Sequence, residues 1–453
     1  MSNPGEADLT PITSVRQPAE WFSKGSKPPS EWRIGTEHEK FGFYHGDLSP
    51  PPYAPGPERK GGIRALLEGL QAKGWAPILD NGNPIGLTRG QASISLEPGG
   101  QFELSGAPLP DLHAGWAELQ NHLEETREVA GPLGMGFAPL GFHPLATRDE
   151  MPWMPKGRYA IMRQYMPRVG AMGLDMMLRT CTVQVNLDFG DEADMVEKLR
   201  VSLALQPLAT ALFANSPFAE GKPNGFRTLR GRVWTETDPD RTGIPAVAFE
   251  QGFGFERFAE HVLDVPMYFI MREGRWIDCA GASFRQFIAR GLPDRPDIQA
   301  TMGDWADHVT TVFTDVRLKR FLEMRGADAG SPEMLHALPA FWTGLLYDAA
   351  AQKAAAALVR DWPVVDLQAL RLAVPAGGLT TPFRGRGLRE VAADALAISR
   401  DGLRARGLGE EVYLAPLEEI VATGETQADR WLRRCAEEWG GDVSRIFPEA
   451  AAA

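Results

Sequence analysis

Arg33-Ile34-Gly35-Thr36-Glu37-His38-Glu39-Lys40-Phe41-Gly42-Phe43 is the stretch on which the fold turns. Trp32, Ile34 and the aromatics at 41 and 43 favour a strand. Side chains alternate along a strand, so Glu37 and Glu39 share one face and His38 takes the other. Two carboxylates about 4 Å apart repel by about 4 kcal/mol at an effective dielectric of about 20. Such a pair needs a cation, a route to solvent or a shared proton. A solvated edge strand meets that need as readily as a metal site does. The rest of the chain has to decide.

Composition sets the bounds. The chain has 453 residues, 43% hydrophobic and 23% charged, enough for a large core and more than a usual single domain. A net charge of −12 argues against a nucleic-acid binder. Met1 to Glu6 lacks the basic-plus-apolar pattern of a signal peptide. No apolar run of about 18 residues is present, so no membrane span is expected. Cys181, Cys279 and Cys435 form no disulfide framework and lack metal-ligand spacing. A reducing, cytoplasmic setting fits. Residues 1–30, rich in Pro, Ser and Gly, read as a partly mobile lead-in with a helical hint at Pro18 to Phe22. Residues 31–445 read as a single domain, of which 334–445 is a helical C-terminal part. Its helices are expected at about 335–360, 364–373, 386–406 and 426–439.

Other stretches supply partners for the opening strand. Gln91 to Ser105 alternates on both sides of Pro98-Gly99-Gly100, a hairpin signal. A three-residue loop pairs Glu97 with Gln101 and Ser95 with Glu103. Ile94, Leu96, Phe102 and Leu104 then share the apolar face, and Glu97 and Glu103 can straddle an ion across a diagonal of about 7–8 Å. Leu178 to Phe189 is a strand with Cys181, Val183, Val185 and Leu187 inward and an uncharged row, Thr180, Thr182, Gln184 and Asn186, outward. Leu229 to Thr237 reads as extended, with Arg230, Arg232, Trp234 and Glu236 on one face. Phe321 to Arg325 reads as a strand placing Glu323 and Arg325 together. Met267 to Cys279 is a hairpin turning at Glu273-Gly274. Helices are expected over 63–73, 111–131 and 194–214. Lys156, Arg158, Arg163 and Arg168 read as a solvated helix face rather than the edge of an anion site. Gly131 to Gly141 has no Lys-Ser/Thr and is not a phosphate loop.

Four strands thus offer polar groups to one face: Glu37, Glu39, Glu97, Glu103 and Glu323, with Arg230, Arg325 and Arg179. All-oxygen acid clusters suit hard cations, Mg²⁺ or Mn²⁺. The Cys/His sets that suit zinc are missing. Carboxylates, arginines and Mg²⁺ together equip a site for phosphoryl transfer. A metal-dependent hydrolase and a non-catalytic acidic binding protein stay open at this point.

A resemblance narrows the choice. Gly35 to Phe43 resembles the opening motif of glutamate–cysteine ligases of the plant and proteobacterial branch. The likeness continues through Ser93–Leu109, Met154–Tyr159, Gly173–Phe189, Ala204–Gly225, Trp234–Asp238, Val265–Phe269, Leu318–Asp328 and Leu338–Asp348. It covers roughly residues 31 to 445. The resemblance implies an α+β fold: a curved antiparallel sheet of about six strands forming a funnel, helices outside, like glutamine synthetase and guanidino kinases. It implies that ATP phosphorylates the γ-carboxylate of L-glutamate and that the L-cysteine amine then displaces phosphate, the first step of glutathione biosynthesis. Alternatives are a γ-glutamyl ligase for another amine and a non-catalytic nucleotide-binding relative. By the same resemblance, Glu37, Glu39, Glu97, Glu103 and Glu323 are the metal set, and Arg230 and Arg325 the catalytic partners of the phosphates. Gln184, Asn186, Arg179, Trp234, Thr235 and Tyr268 are the substrate-binding candidates. A monomer or homodimer is expected. Cys279 matches a cysteine of the plant pattern, but its expected partner position holds Asp294 and another such position holds His336, so no regulatory disulfide of that kind is expected. Arg232 stands where the plant chain differs and receives no catalytic role. No general base stands out, so positioning and charge neutralisation are expected to carry the chemistry.

Overall fold

The computed structural model describes residues 8–452. Its centre is β1, Ile34–Tyr44, which has neighbours on both sides. The other strands of its sheet are β2 (Ala76–Asp80), β3 (Asn83–Arg89), β4 (Ala92–Leu96), β5 (Phe102–Ser105), β6 (Met135–Ala138), β7 (Thr182–Leu187), β8 (Val316–Leu318) and β9 (Leu322–Asp328). Their order is β8-β9-β7-β1-β5-β4-β3-β2, with β6 beside the far end of β1. Every pairing is antiparallel. The expected antiparallel sheet is therefore present and numbers nine strands. The excess includes β2, β3 and β6, whose short runs carry Pro or Gly that mask their alternation.

Register puts the polar side chains on one face. Glu39 lies opposite Glu103 on β5, and Glu37 opposite Gln184 on β7. Glu323 of β9 lies opposite Asn186. The β4–β5 hairpin has the expected register: Ser95 faces Glu103, and the Glu97 N–H donates to the Gln101 carbonyl at 3.0 Å. Gly100 closes the turn at φ 83°, a conformation that costs glycine little. Between Met324 and Ala327 the β9–β7 register shifts. Arg325 and Gly326 together oppose Gln184, which is a β-bulge that re-aims Arg325. A Cβ at 326 would meet the Gln206 amide nitrogen at 2.1 Å and the Thr210 hydroxyl at 2.8 Å, so a larger residue there would have to displace those side chains.

The opposite face is apolar. Val183, Val185 and Leu187 pack, fully buried, with residues of helices Glu192–Leu212 and Pro332–Leu346. Leu112–Ala130 lies on the same side of β1, its N-terminus capped by Asp111. Helix Ile63–Gln71 buries Ile63, Leu66, Leu67 and Leu70 with Leu87 and Ile94. Helix Gly157–Val169, the Phe269–Asp278 hairpin and helix Met302–Thr310 stand around the polar face. The hairpin turns at Glu273-Gly274, both with positive φ.

Several expectations need correcting. Leu229–Thr235 is a helix, not a strand; the Thr228 hydroxyl caps it by accepting from the Gly231 N–H. Leu178 and Arg179 end the helix Gly173–Arg179, and the strand begins only at Thr182. The helix expected over 335–360 is two, Pro332–Leu346 and Ala349–Val359, because Asp348 caps the second with bonds from Ala350 and Ala351 N–H. The helical hint near Pro18 becomes Arg16–Ser23. The lead-in's first seven residues lie outside the described residues.

Candidate active site

Three carboxylates meet on the polar face. Glu39 comes from β1, Glu103 from β5 directly across, and Glu97 from the mouth of the β4–β5 turn. One oxygen from each lies within 4.8 Å of the others. Neighbouring groups hold two of them. The Thr182 N–H donates to Glu39 at 3.0 Å, and the Ser95 and Ser105 hydroxyls donate to Glu103 at 2.8 and 3.2 Å. Burial, then Glu97 and Glu103, pushes the Glu39 carboxyl well above its ordinary range. Burial and Glu103 push Glu97 up to about 7. Three oxygens at this separation with no nitrogen or sulfur donor fit a hard divalent cation, whose charge would relieve that repulsion.

Glu37 stands beside this trio, with the Asn186 amide donating to it at 2.8 Å. Glu323 does not join it. Arg317 forks onto Glu323 at 2.6 and 3.0 Å, Lys319 lies at 2.9 Å and Arg325 at 2.7 Å. Burial raises the Glu323 carboxyl, but these three cations outweigh it and hold it well below the usual range. Glu323 is thus an anchor for cations rather than the ligand expected.

The arginines face the acids. Arg325 also donates to the Gln184 side-chain oxygen at 2.7 Å. Arg230, 2% exposed, donates from Nη2 to the Arg325 carbonyl at 2.8 Å. Its Nη1 has no hydrogen-bond acceptor among the described residues, and Asp328 lies 3.9 Å away. Arg158 and Arg317 complete the ring. Met162, Met176, Met177, Trp234, Phe269 and Phe313 form the apolar wall.

Arg317 and Arg158 are residues that the sequence reading missed. The solvated face expected for Lys156 to Arg168 is wrong at its start. Lys156 is buried and donates to the Leu96 carbonyl at 2.8 Å, and Arg158 lines the pocket. Their signal was position, Lys156 at the N-cap and Arg158 in the first turn of the helix Gly157–Val169. Arg317 had a cross-strand signal, since it pairs in register with Glu323. Of the substrate candidates, Gln184 and Trp234 line the pocket, and Asn186 acts through Glu37.

Three candidates are elsewhere. Arg179 is claimed by Asp175 at 2.5 Å, one helical turn away, and by Glu220 at 2.9 Å. The Thr235 hydroxyl donates to the Arg232 carbonyl of its own helix at 2.7 Å. Tyr268 is buried in the core with the Arg241 guanidinium 3.7 Å from its ring centroid and its hydroxyl on Asp238 at 3.4 Å. Its neighbour Phe269 reaches the pocket instead, because successive residues of extended chain point opposite ways.

An antiparallel sheet presenting clustered carboxylates to a ring of arginines defines a class of pocket built for anionic, phosphate-bearing reactants. The sequence profile of glutamate–cysteine ligase family 2 matches residues 33–449. The chloroplastic glutamate–cysteine ligase of Brassica juncea is 51% identical over 95% of this chain and 82% of its own. That of Arabidopsis thaliana is 52% identical over 95% and 81%. The chain belongs to this family of ligases. Among solved structures, glutamate–cysteine ligase from Francisella tularensis in complex with AMP superposes with a TM-score of 0.57 at 11% identity, covering 93% of this chain and 88% of that one. A bifunctional glutathione synthetase from Pasteurella multocida gives 0.51 at 13% identity, over 98% of this chain and 54% of that one. At such identities the likeness is one of fold.

The cytoplasmic setting is overturned. The plant relatives are named as chloroplastic enzymes, so the cytoplasmic expectation does not stand. Cysteine usage reports the redox state of a compartment and not which compartment it is. Among the described residues no helix is long and apolar enough to cross a membrane.

Proposed function

We propose that the chain joins L-glutamate to L-cysteine at the expense of ATP, giving γ-glutamylcysteine, ADP and phosphate, the step that opens glutathione biosynthesis. The observation that carries this reading is the Glu39–Glu97–Glu103 cluster set against Arg230 and Arg325 on one sheet face. The close ligase relatives support the choice of substrates. The residues fit Mg²⁺ or Mn²⁺ held by Glu39, Glu97 and Glu103 with Glu37 adjacent. When bound, the ion supplies positive charge for the phosphate oxygens.

A glutamate γ-carboxylate oxygen attacks the terminal phosphorus of ATP, and ADP leaves. The cysteine amine then attacks the acyl carbon, phosphate leaves, and the amine loses a proton. Arg230 offers its Nη1, which has no hydrogen-bond acceptor among the described residues, and Arg325 its guanidinium, to the negative charge that builds on the transferred phosphoryl group. Glu323 and Gln184 fix the orientation of Arg325, and Asn186 fixes Glu37. The methionine and aromatic wall excludes water, which would otherwise hydrolyse the acyl phosphate. Residues 31–445 act as one catalytic unit on this reading, as a monomer or homodimer.

The test is ADP release from ATP, Mg²⁺ and glutamate with amines added singly. Cysteine is expected to give the highest rate and a γ-glutamyl dipeptide. Release that depends on another amine would reassign the substrate. Nucleotide binding without turnover would remove the enzyme reading.

A further inference from the structure

The reverse face of β1 carries a second polar cluster that the ligase chemistry does not use. Lys40 is 1% exposed, and its ammonium contacts two imidazoles, His38 Nδ1 at 3.2 Å and His122 Nε2 at 3.0 Å. An ammonium has three N–H donors. Lys40 has no carboxylate partner among the described residues, and burial lowers its ammonium to about 7. It stands at the inner end of a cavity of about 310 Å³, bounded by β1, β6 and the helices Leu112–Ala130, Pro332–Leu346 and Ile446–Ala452. Small-molecule sites begin at roughly this size.

The lining divides by chemistry. Thr126, 3% exposed, contributes a hydroxyl that has no hydrogen-bond partner. His45 and Arg127, both exposed, add two more basic groups. Leu123, Met135, Phe137 and Leu335 form much of the wall between them. No aspartate or glutamate lines the cavity among the described residues. A buried amine with an N–H to spare, an unsatisfied hydroxyl beside an apolar wall, and a basic mouth match an anionic head, whose charge would hold the proton on Lys40, on an aliphatic body.

We infer that the cavity behind β1 binds a small aliphatic carboxylate, its head on Lys40 and Thr126 and its chain along the Leu123–Phe137–Leu335 wall. Water satisfies the polar end but not the apolar wall, and a free inorganic anion satisfies only the head. A charge-assisted bond to Lys40 with a second from the Thr126 hydroxyl makes the head the main determinant of affinity.

The experiment uses the full chain and calorimetric titration with hexanoate, 1-hexanol and acetate as probes. Hexanoate is expected to bind saturably, with acetate and 1-hexanol at least tenfold weaker. Lys40→Met should weaken hexanoate at least tenfold. Thr126→Val keeps the volume and removes only the unpartnered hydroxyl. It should fold normally and weaken hexanoate about fivefold, so it decides the matter even if Lys40→Met fails to fold. Hexanoate binding no tighter than 1-hexanol, or undiminished in both variants, overturns the assignment.

Discussion

Glu323→Gln separates an anchor for cations from a metal ligand. Four hydrogen-bonding contacts of 2.6 to 3.0 Å from Arg317, Lys319 and Arg325 converge on this fully buried carboxylate. At an effective dielectric of about 20 each of the three ion pairs is worth about 6 kcal/mol of gross attraction. Desolvating the buried ions offsets most of that sum. Removing the one anion, however, leaves Arg317 buried beside Arg325 with only the weaker pull of Glu37 to offset them. Breaking such a buried network costs about 3–5 kcal/mol. Glutamine keeps the shape and part of the hydrogen bonding, so the lower end applies. In a chain of this size that corresponds to a fall of roughly 3 °C in the melting midpoint. The assay is a pair of calorimetric scans, with excess chelator and with excess Mg²⁺. The drop should be the same in both, because the lost interaction is with protein cations. A variant that melts like the wild type in chelator and loses only its Mg²⁺-induced stabilisation would refute the reasoning and restore Glu323 as a ligand.

Three further outcomes follow from the same geometry. Glu37→Gln should lower turnover at least a hundredfold at saturating Mg²⁺ while leaving the far-UV spectrum and melting midpoint near wild type; near-native turnover would remove Glu37 from the site. Glu97, raised from 4.5 to about 7, holds its extra proton only when folded, so the stabilisation it gives below pH 4.5 is lost as pH rises through 7. The metal-free protein should therefore lose stability across that window relative to Glu97→Gln; the difference matters because His143 and His308, lowered to about 3 by burial, act in the opposite direction below pH 6.5. A flat difference curve would show that Glu97 is not strained. Tyr268→Phe should leave the KM for each substrate within about twofold, since the hydroxyl meets Asp238 in the core; a tenfold rise in one KM would return Tyr268 to the pocket.

Sequence pattern was most informative where chemistry rode on a strand. The period of two along Glu37–Glu39, Ser95–Glu103 and Glu323–Arg325 placed these side chains on a common face, because a pleated strand leaves a residue only two directions. The same habit misled at Leu229–Thr235. Arg230, Arg232 and Trp234 alternate like a strand, yet Arg230 and Trp234 are also one helical turn apart, and both line the pocket from a helix. Thr228 was the overlooked cue, a hydroxyl three residues ahead of an available N–H. Arg179 and Tyr268 show the other limit. Each is chemically suited to a substrate, but Asp175 and Asp238, near in space and unremarkable in sequence, had already engaged them. The local pattern shows what a side chain is able to do; the tertiary partners determine whether it is at liberty to do it.

The alternation along β1 has a consequence for assembly. Odd positions, Glu37 and Glu39, carry acid toward the pocket, and even positions, His38 and Lys40, carry base toward the helices. Sliding the strand by a single residue would exchange the two sets, thrusting carboxylates among Val183, Val185 and the helices while a lysine entered the funnel. An unpaired carboxylate in apolar surroundings is costly enough to make the slipped pairing untenable. The charges that face the pocket on one side and a buried cluster on the other thus also act as a registration mark, telling the central strand during folding where its neighbours must begin.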